Sequence, residues 1–328
     1  MMKITKVAII GSGIMGSSWA IVYARAGLQV AIYDRDPSAR SKVIAKIQDA
    51  LEQSSVLISG HETIQDVLER VTVNDSLAAV LEGAQFIHEC IEEKLESKRA
   101  MFEQFCELAP ENAILATSTS SFPVSTFASE LSRREKCIVV HPATPPHLLP
   151  VTEICPAPFT DPAVTDAVYS LMEACGQVPV LIKKELPSFV LNRMQAALFV
   201  EMFRCLNEEV ISPSDIDKIV SAGFGLRWAF LGPFEAVDLN SAGGIKEYFE
   251  RFGFIFNDMA KDLGLKDEVV TSNSIALLEQ YARGRLPLAA INEKVQWRDR
   301  AITALRELKA EQDKTAVDQR VEASLSVA

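Results

Sequence analysis

The feature that most constrains this chain is a set of glycines placed where a strand hands over to a helix. Gly11-Ser12-Gly13-Ile14-Met15-Gly16 follows the apolar run Lys6–Ile10 and opens a helical pattern over residues 16–26. Glycines at this spacing do three jobs: the first turns tightly, the second lets backbone approach a pyrophosphate, and the third lets the helix lie close on the strand. The helix start then offers unpaired amides and a positive dipole end to phosphate. Eighteen residues past Gly16, at the end of the next strand run Gln29–Tyr33, stands Asp34. Its carboxylate can accept hydrogen bonds from an adenosine ribose and repels a 2′-phosphate, so NAD is expected over NADP. Arg35, next to it, is the residue placed to accommodate such a phosphate.

Further strand-like runs follow at Phe86–Glu89, 114–116, 138–141, 152–155 and 178–182, alternating with helical patterns. That alternation predicts βαβ units around a parallel sheet. Residues 37–75 read as one long, mostly helical excursion. After Pro187 strand-like runs vanish, and residues 189–210, 214–222, 244–263 and 267–284 carry apolar side chains at three- and four-residue intervals. A charged helix over 293–312 closes the pattern, and Ser212-Pro213-Ser214-Asp215 reads as a capped helix start. The expected architecture is α/β: a Rossmann-type dinucleotide-binding domain over residues 1–185, then an all-α substrate and dimerisation domain over 186–328.

Composition narrows the partners. With 33 Lys+Arg against 44 Asp+Glu the net charge is −11, which argues against a nucleic-acid binder and against a protein that clings to anionic membranes. Cysteines at 90, 106, 137, 155, 175 and 205 form no CxxC pair and have no neighbouring histidines, so no metal site is expected and buried thiols in a reducing compartment are. Lys3 and Lys6 before an apolar stretch imitate a signal peptide, but Gly11, Ser12, Gly13 and Gly16 interrupt it. A cytoplasmic protein is expected.

Four histidines stand at 61, 88, 141 and 147. His61 falls in the charged excursion, His88 in a buried strand pattern as a satisfied core residue, and His147 in a proline-rich loop. His141 ends a strand, at the carboxyl edge where open α/β sheets bind ligands. Twelve residues on, Glu153 sits in the next strand in apolar company, where a carboxylate needs a partner. Paired, the two make either a structural ion pair or an oriented general base.

These residues, with Ser118-Thr119-Ser120-Ser121, His141-Pro142 and Phe189-Val190-Leu191-Asn192-Arg193, resemble the 3-hydroxyacyl-CoA dehydrogenase family in order and spacing over nearly the whole chain. Residues 227–233, Arg-Trp-Ala-Phe-Leu-Gly-Pro, and 296–299, Gln-Trp-Arg-Asp, narrow the resemblance to one branch. It implies His141 as catalytic base, Glu153 as its orienting carboxylate, and Ser120 and Asn192 on the reacting substrate oxygen. It implies Gly11, Gly13, Ile14, Met15, Gly16, Asp34, Glu93, Lys98, Ser120 and Thr144 around the cofactor, and a homodimer. Without it, Ser120 is a hydroxyl in a polar turn, Asn192 a helix cap, and Glu93 and Lys98 a solvated helix face. Thr144 stands where the family commonly has Asn, and Pro187-Ser188-Phe189 where Pro-Gly-Phe is usual.

The substrate has its own signals. Residues 38–70 hold four cations, Arg40, Lys42, Lys46 and Arg70, against five carboxylates, Asp49, Glu52, Glu62, Asp66 and Glu69, a poor clamp for the phosphates of CoA. Arg227, between Leu226 and Trp228, offers a fork for a substrate carboxylate or a salt bridge between domains or subunits. A free 3-hydroxy acid or sugar acid is the preferred reading. A CoA thioester substrate, a carnitine-type substrate facing Trp228 and Phe230, and a non-catalytic NAD(H)-binding protein are the alternatives.

Overall fold

A computed structural model describes residues 4–58, 60, 62–229, 232–233 and scattered positions between 251 and 311. The chain divides into two compact units, Met1–Met194 and Gln195–Ala328.

The first unit is built on β1 (Lys6–Ile10), α1 (Ile14–Arg25), β2 (Gln29–Tyr33), α2 (Pro37–Gln53), α3 (Ile64–Leu68), β3 (Val71–Asn74), α4 (Leu77–Leu81) and β4 (Phe86–Glu89). It continues with α5 (Leu95–Leu108), β5 (Ile114–Thr117), α6 (Ser125–Ala128), β6 (Cys137–Pro142), β7 (Val151–Pro156), α7 (Pro162–Ala174), β8 (Val178–Leu181) and the start of α8 (Phe189–Asn207). The strands lie in the order β3-β2-β1-β4-β5-β6-β7-β8.

Two-residue alternation decides which layer each side chain enters. Val7, Ile9, Val30 and Ile32 pack with Trp19 and Tyr23 of α1 and Val43, Ile47 and Leu51 of α2. Ala8, Ile10 and Ile87 point to the other face, against Phe102, Phe105 and Phe127. Helix starts are set locally: Asp36 accepts from Ser38 N at 2.8 Å with Pro37 at the first helical position, and Asp161 does the same for Ala163 N ahead of Pro162.

The excursion over 37–75 is mostly helical, through α2 and α3, but it ends in a strand that the sequence reading did not include: Val71–Asn74 adds β3 at the sheet edge, paired in parallel with β2. Four residues with Thr and Asn among them carry too little alternation to read as a strand. The sheet is also not wholly parallel: β6 and β7 form an antiparallel pair that sets His141 directly opposite Glu153. All six cysteines are free, but only Cys137, Cys155 and Cys175 are buried; Cys90, Cys106 and Cys205 are half-buried.

In the second unit, α9 (Pro213–Ile219) follows the rest of α8. Ser212 caps it by accepting from Asp215 N at 3.2 Å, with Pro213 at the first position. A π-helical turn at Val220–Phe224 leads into α10 (Gly225–Trp228), where the rings of Phe224 and Trp228 stack at 4.8 Å. Most of the helical patterns expected over 244–263 and 293–312, and all of 267–284, lie outside the described residues, as does Phe230.

Candidate active site

The order β2-β1-β4 makes the ends of β1 and β4 the point where successive connections leave in opposite directions, and that crevice is where open α/β sheets take ligands. The glycines meet it there. Gly11 has φ +107°, and a side-chain carbon on it would sit 2.5 Å from the Cys90 carbonyl oxygen at the end of β4. On Gly16 such a carbon would lie 1.8 Å from Gly11 O, so α1 can close on β1 only at a glycine. Gly13 is the N-cap of α1 and faces open space, with Ile14 beside it 76% exposed, leaving room for phosphate at the helix N-terminus. Asp34 is locked by its neighbours: Ser12 N and Oγ donate to its Oδ2 at 2.7 and 2.9 Å, and Asp36 N to Oδ1 at 3.0 Å. Gly11, Gly13, Tyr33, Asp34, Glu92 and Met101 line a cavity of about 590 Å³ here. A tight glycine cradle, a helix N-terminus, a fixed carboxylate and an apolar wall suit an adenine dinucleotide.

Behind this cavity lies a charge cluster that the sequence reading missed in part. Lys98 is only 1% exposed; its ammonium reaches both oxygens of Glu89 at 3.0 Å and Glu93 Oε2 at 3.1 Å. Glu89, fully buried at the end of β4, also accepts from Thr117 Oγ1 at 2.6 Å and Ile91 N at 2.7 Å. Burial pushes its carboxyl above the usual range, opposed by Lys98 and Thr117. Glu93 uses its other oxygen to hold the loop after β5, accepting from Thr119 Oγ1 at 2.5 Å, Ser120 N at 3.0 Å and Ser121 N at 2.9 Å. Partial burial pushes Glu93 up, but Thr119 and Lys98 outweigh it and hold it below the carboxylate range. A carboxylate ending the strand Phe-Ile-His-Glu was the available signal for Glu89.

His141 and Glu153 are brought together, with Nδ1 2.8 Å from Oε2 and both side chains nearly buried. The other carboxylate oxygen, Oε1, accepts from Val190 N and Leu191 N at 2.9 Å each, two of the unpaired amides that open α8. Three donors thus compensate one buried charge. An ionised carboxylate only accepts, so Nδ1 carries the proton and Nε2 is left as the basic nitrogen. Phe189, fully buried, lays its ring 5.1 Å from the imidazole, and Asn192 Nδ2 donates to Ser120 O at 3.1 Å. Ser188 and Phe189 both have positive φ, +64° and +52°, so the serine that replaces the usual glycine is strained in this turn.

His88 is buried with Nδ1 2.8 Å from Tyr23 Oη and Nε2 2.8 Å from Ser118 Oγ, a satisfied core residue. His147 lies in the loop after β6, nearly buried, 2.5 Å from Ser18 Oγ. Thr144 is exposed with its hydroxyl 3.6 Å from Met15 Sδ. His61 and the side chain of Arg227 lie outside the described residues, although the Arg227 backbone belongs to α10. Among the described residues there is no cluster of metal-ligating side chains and no helix long and apolar enough to cross a membrane.

Such a cradle beside a histidine and carboxylate at the sheet's carboxyl edge defines a class, the nicotinamide-dependent dehydrogenases built on a doubly wound sheet. The match is specific: residues 6–186 fit the model of the 3-hydroxyacyl-CoA dehydrogenase NAD-binding domain and residues 189–272 that of the C-terminal domain. The chain belongs to the 3-hydroxyacyl-CoA dehydrogenase family and is an NAD-dependent oxidoreductase. Lambda-crystallin of Oryctolagus cuniculus is 34% identical over 310 residues, 92% of this chain and 96% of its own. L-carnitine dehydrogenase of Oceanobacillus iheyensis is 30% identical over 76% of this chain and 80% of its own. Among solved structures, 5-formyl-3-hydroxy-2-methylpyridine 4-carboxylic acid 5-dehydrogenase, an NAD+-dependent dismutase, superposes with a TM-score of 0.78 at 25% identity, over 94% of this chain and 99% of that one.

Proposed function

We propose that the protein oxidises the 3-hydroxyl of a small free hydroxy acid, L-gulonate-like as its resemblance to lambda-crystallin implies, to the 3-keto acid. The observation that carries this reading is the His141 Nδ1 to Glu153 Oε2 bond of 2.8 Å, which leaves Nε2 free to act as a base. His141 takes the hydroxyl proton, and Glu153 holds the tautomer and stabilises the imidazolium that forms. Ser120 and Asn192, which the Nδ2 to Ser120 O contact keeps adjacent, aim the substrate oxygen. When bound, NAD+ supplies the acceptor for the carbinol hydride. Gly11, Gly13, Ile14, Met15, Gly16 and Asp34 hold its adenosine and phosphates, with Thr144 and Glu93 toward the nicotinamide. Lys98 acts as a positioning residue through Glu93.

A free acid is favoured over a CoA thioester by the 38–70 segment. Of its four cations, Arg70 is paired with Glu62 and Arg40 donates to Asp34 O, leaving Lys42 and Lys46 to face phosphate. Arg227 is assigned to the substrate carboxylate, and the enzyme to a cytoplasmic homodimer joined through its helical half. The test is a panel of hydroxy acids followed by NADH absorbance, with acetoacetyl-CoA in the reverse direction. Turnover of L-gulonate or a related acid supports the reading, and turnover of acetoacetyl-CoA alone overturns it in favour of a hydroxyacyl-CoA dehydrogenase. Replacing Arg227 by Leu is expected to raise KM for the acid far more than it changes NADH affinity.

A further inference from the structure

Arg35 directly follows the carboxylate assigned to the adenosine ribose, and a guanidinium in that position is a natural ligand for a 2′-phosphate. Here it is engaged elsewhere: its Nη2 lies 3.4 Å from Glu92 Oε1. Glu92 comes from a different part of the sheet, the stretch between β4 and α5, yet lines the same cavity as Asp34 and Arg35. Ser97 Oγ holds it there, donating to Oε1 at 3.0 Å, and Oε2 pairs with the Lys94 ammonium at 2.8 Å. One carboxylate therefore engages two cations, Arg35 and Lys94. A third, Arg40, sits close by with its guanidinium on the Asp34 carbonyl oxygen at 2.5 Å. Bonds from Lys94 and Ser97 hold Glu92 below the usual carboxylate range, so it is ionised at neutral pH.

The Arg35–Glu92 pair is exposed, with side chains 81% and 32% accessible, and adds little to stability. Its effect is on the field that a bound phosphate meets. We infer that Glu92 is a cofactor-specificity residue: it occupies Arg35 and Lys94 and sets a second negative charge in the cavity with Asp34, so that a 2′-phosphorylated dinucleotide is refused. With the Glu92 charge removed, Arg35, which lines the cavity, is released to face the phosphate, and Asp34 alone opposes it. The inference concerns the adenosine end of the cofactor and is independent of which alcohol is oxidised at the other end.

The experiment is direct calorimetric titration of the full-length protein with NADPH and with NADH. Glu92→Gln is expected to raise the ratio of NADPH to NADH affinity about tenfold, and about 0.5 M salt to shrink that gain. In Glu92→Gln/Arg35→Gln most of the gain is expected to vanish. Arg35→Gln alone is expected to leave the wild-type ratio within about twofold, because its guanidinium is already taken up. An unchanged ratio in Glu92→Gln overturns the proposal, as does a gain that loss of Arg35 does not diminish. A fall of more than about threefold in Arg35→Gln alone also overturns it, since Arg35 would then already serve the phosphate. That last variant changes an exposed side chain and keeps the test decisive if Glu92→Gln folds poorly.

Discussion

Glu153 does two tasks with two oxygens, one on His141 and one on the amides of Val190 and Leu191. A glutamine there can still accept from the amides through its carbonyl, but it presents an amide N–H to His141. The imidazole must then accept at Nδ1 and carry its proton on Nε2, the wrong tautomer for a base. On the proposed chemistry Glu153→Gln lowers kcat by about 10²- to 10⁴-fold. NADH affinity, which the proposed reading assigns to the glycine turn and Asp34, should hold; an equal loss in both would mean the carboxylate serves the fold instead. The glycines and Asp34 were legible because their reasons are local. The burial of Lys98 was not, since nothing in Leu-Glu-Ser-Lys reveals that Glu89 and Glu93 wait on neighbouring segments.

At the level of elements, the strand β4 carries a polar chain across the core: Tyr23 of α1, His88, then Ser118 after β5, which also accepts from Trp19 Nε1 at 2.8 Å. Burial lowers the His88 pKa to about 3, so the imidazole stays neutral in the folded protein. The unfolded chain takes up this proton near pH 6.5, so stability from His88 is complete above that pH and is lost as pH falls toward about 3. Thermal unfolding should show Tm declining between pH 7 and 5, and a flatter decline in His88→Gln on its lower baseline. The end of α5 has a device of its own. Arg133 donates to the carbonyl oxygens of Phe105, Ala109, Pro110, Glu111 and Ala113 at 2.6 to 3.4 Å. These groups lie at and just past the helix C-terminus, where carbonyls run short of helical partners; Phe105 O also accepts from Ala109 N at 3.0 Å and Pro110 O from Ala113 N at 2.9 Å. Arg133→Met should cost on the order of 2 kcal/mol in urea denaturation; a change within experimental error would show that water replaces it freely.

For the whole molecule the charge of −11 and nucleotide binding are compatible, because backbone amides and a helix end can meet phosphates without a basic surface. Burial pushes the Cys155 and Cys175 thiols up to about 12 and Cys137 higher. In the native protein these three should react with an aromatic disulfide reagent far more slowly than in denaturant; rapid native labelling at any of them would contradict the packing described. The sequence by itself determined the two-part plan, the β1-to-α1 glycine turn with Asp34, and the residue types of the histidine–glutamate pair, since each rests on spacing along one strand or helix. Only the tertiary structure decided that β6 and β7 run antiparallel and so set His141 opposite Glu153. The same holds for the opening amides of α8 on that carboxylate, for Phe189 against the imidazole, and for Glu92 on Arg35. Those contacts join residues 12 to 57 positions apart, and a separation of that size is closed by the order of strands in the sheet, which no local pattern records.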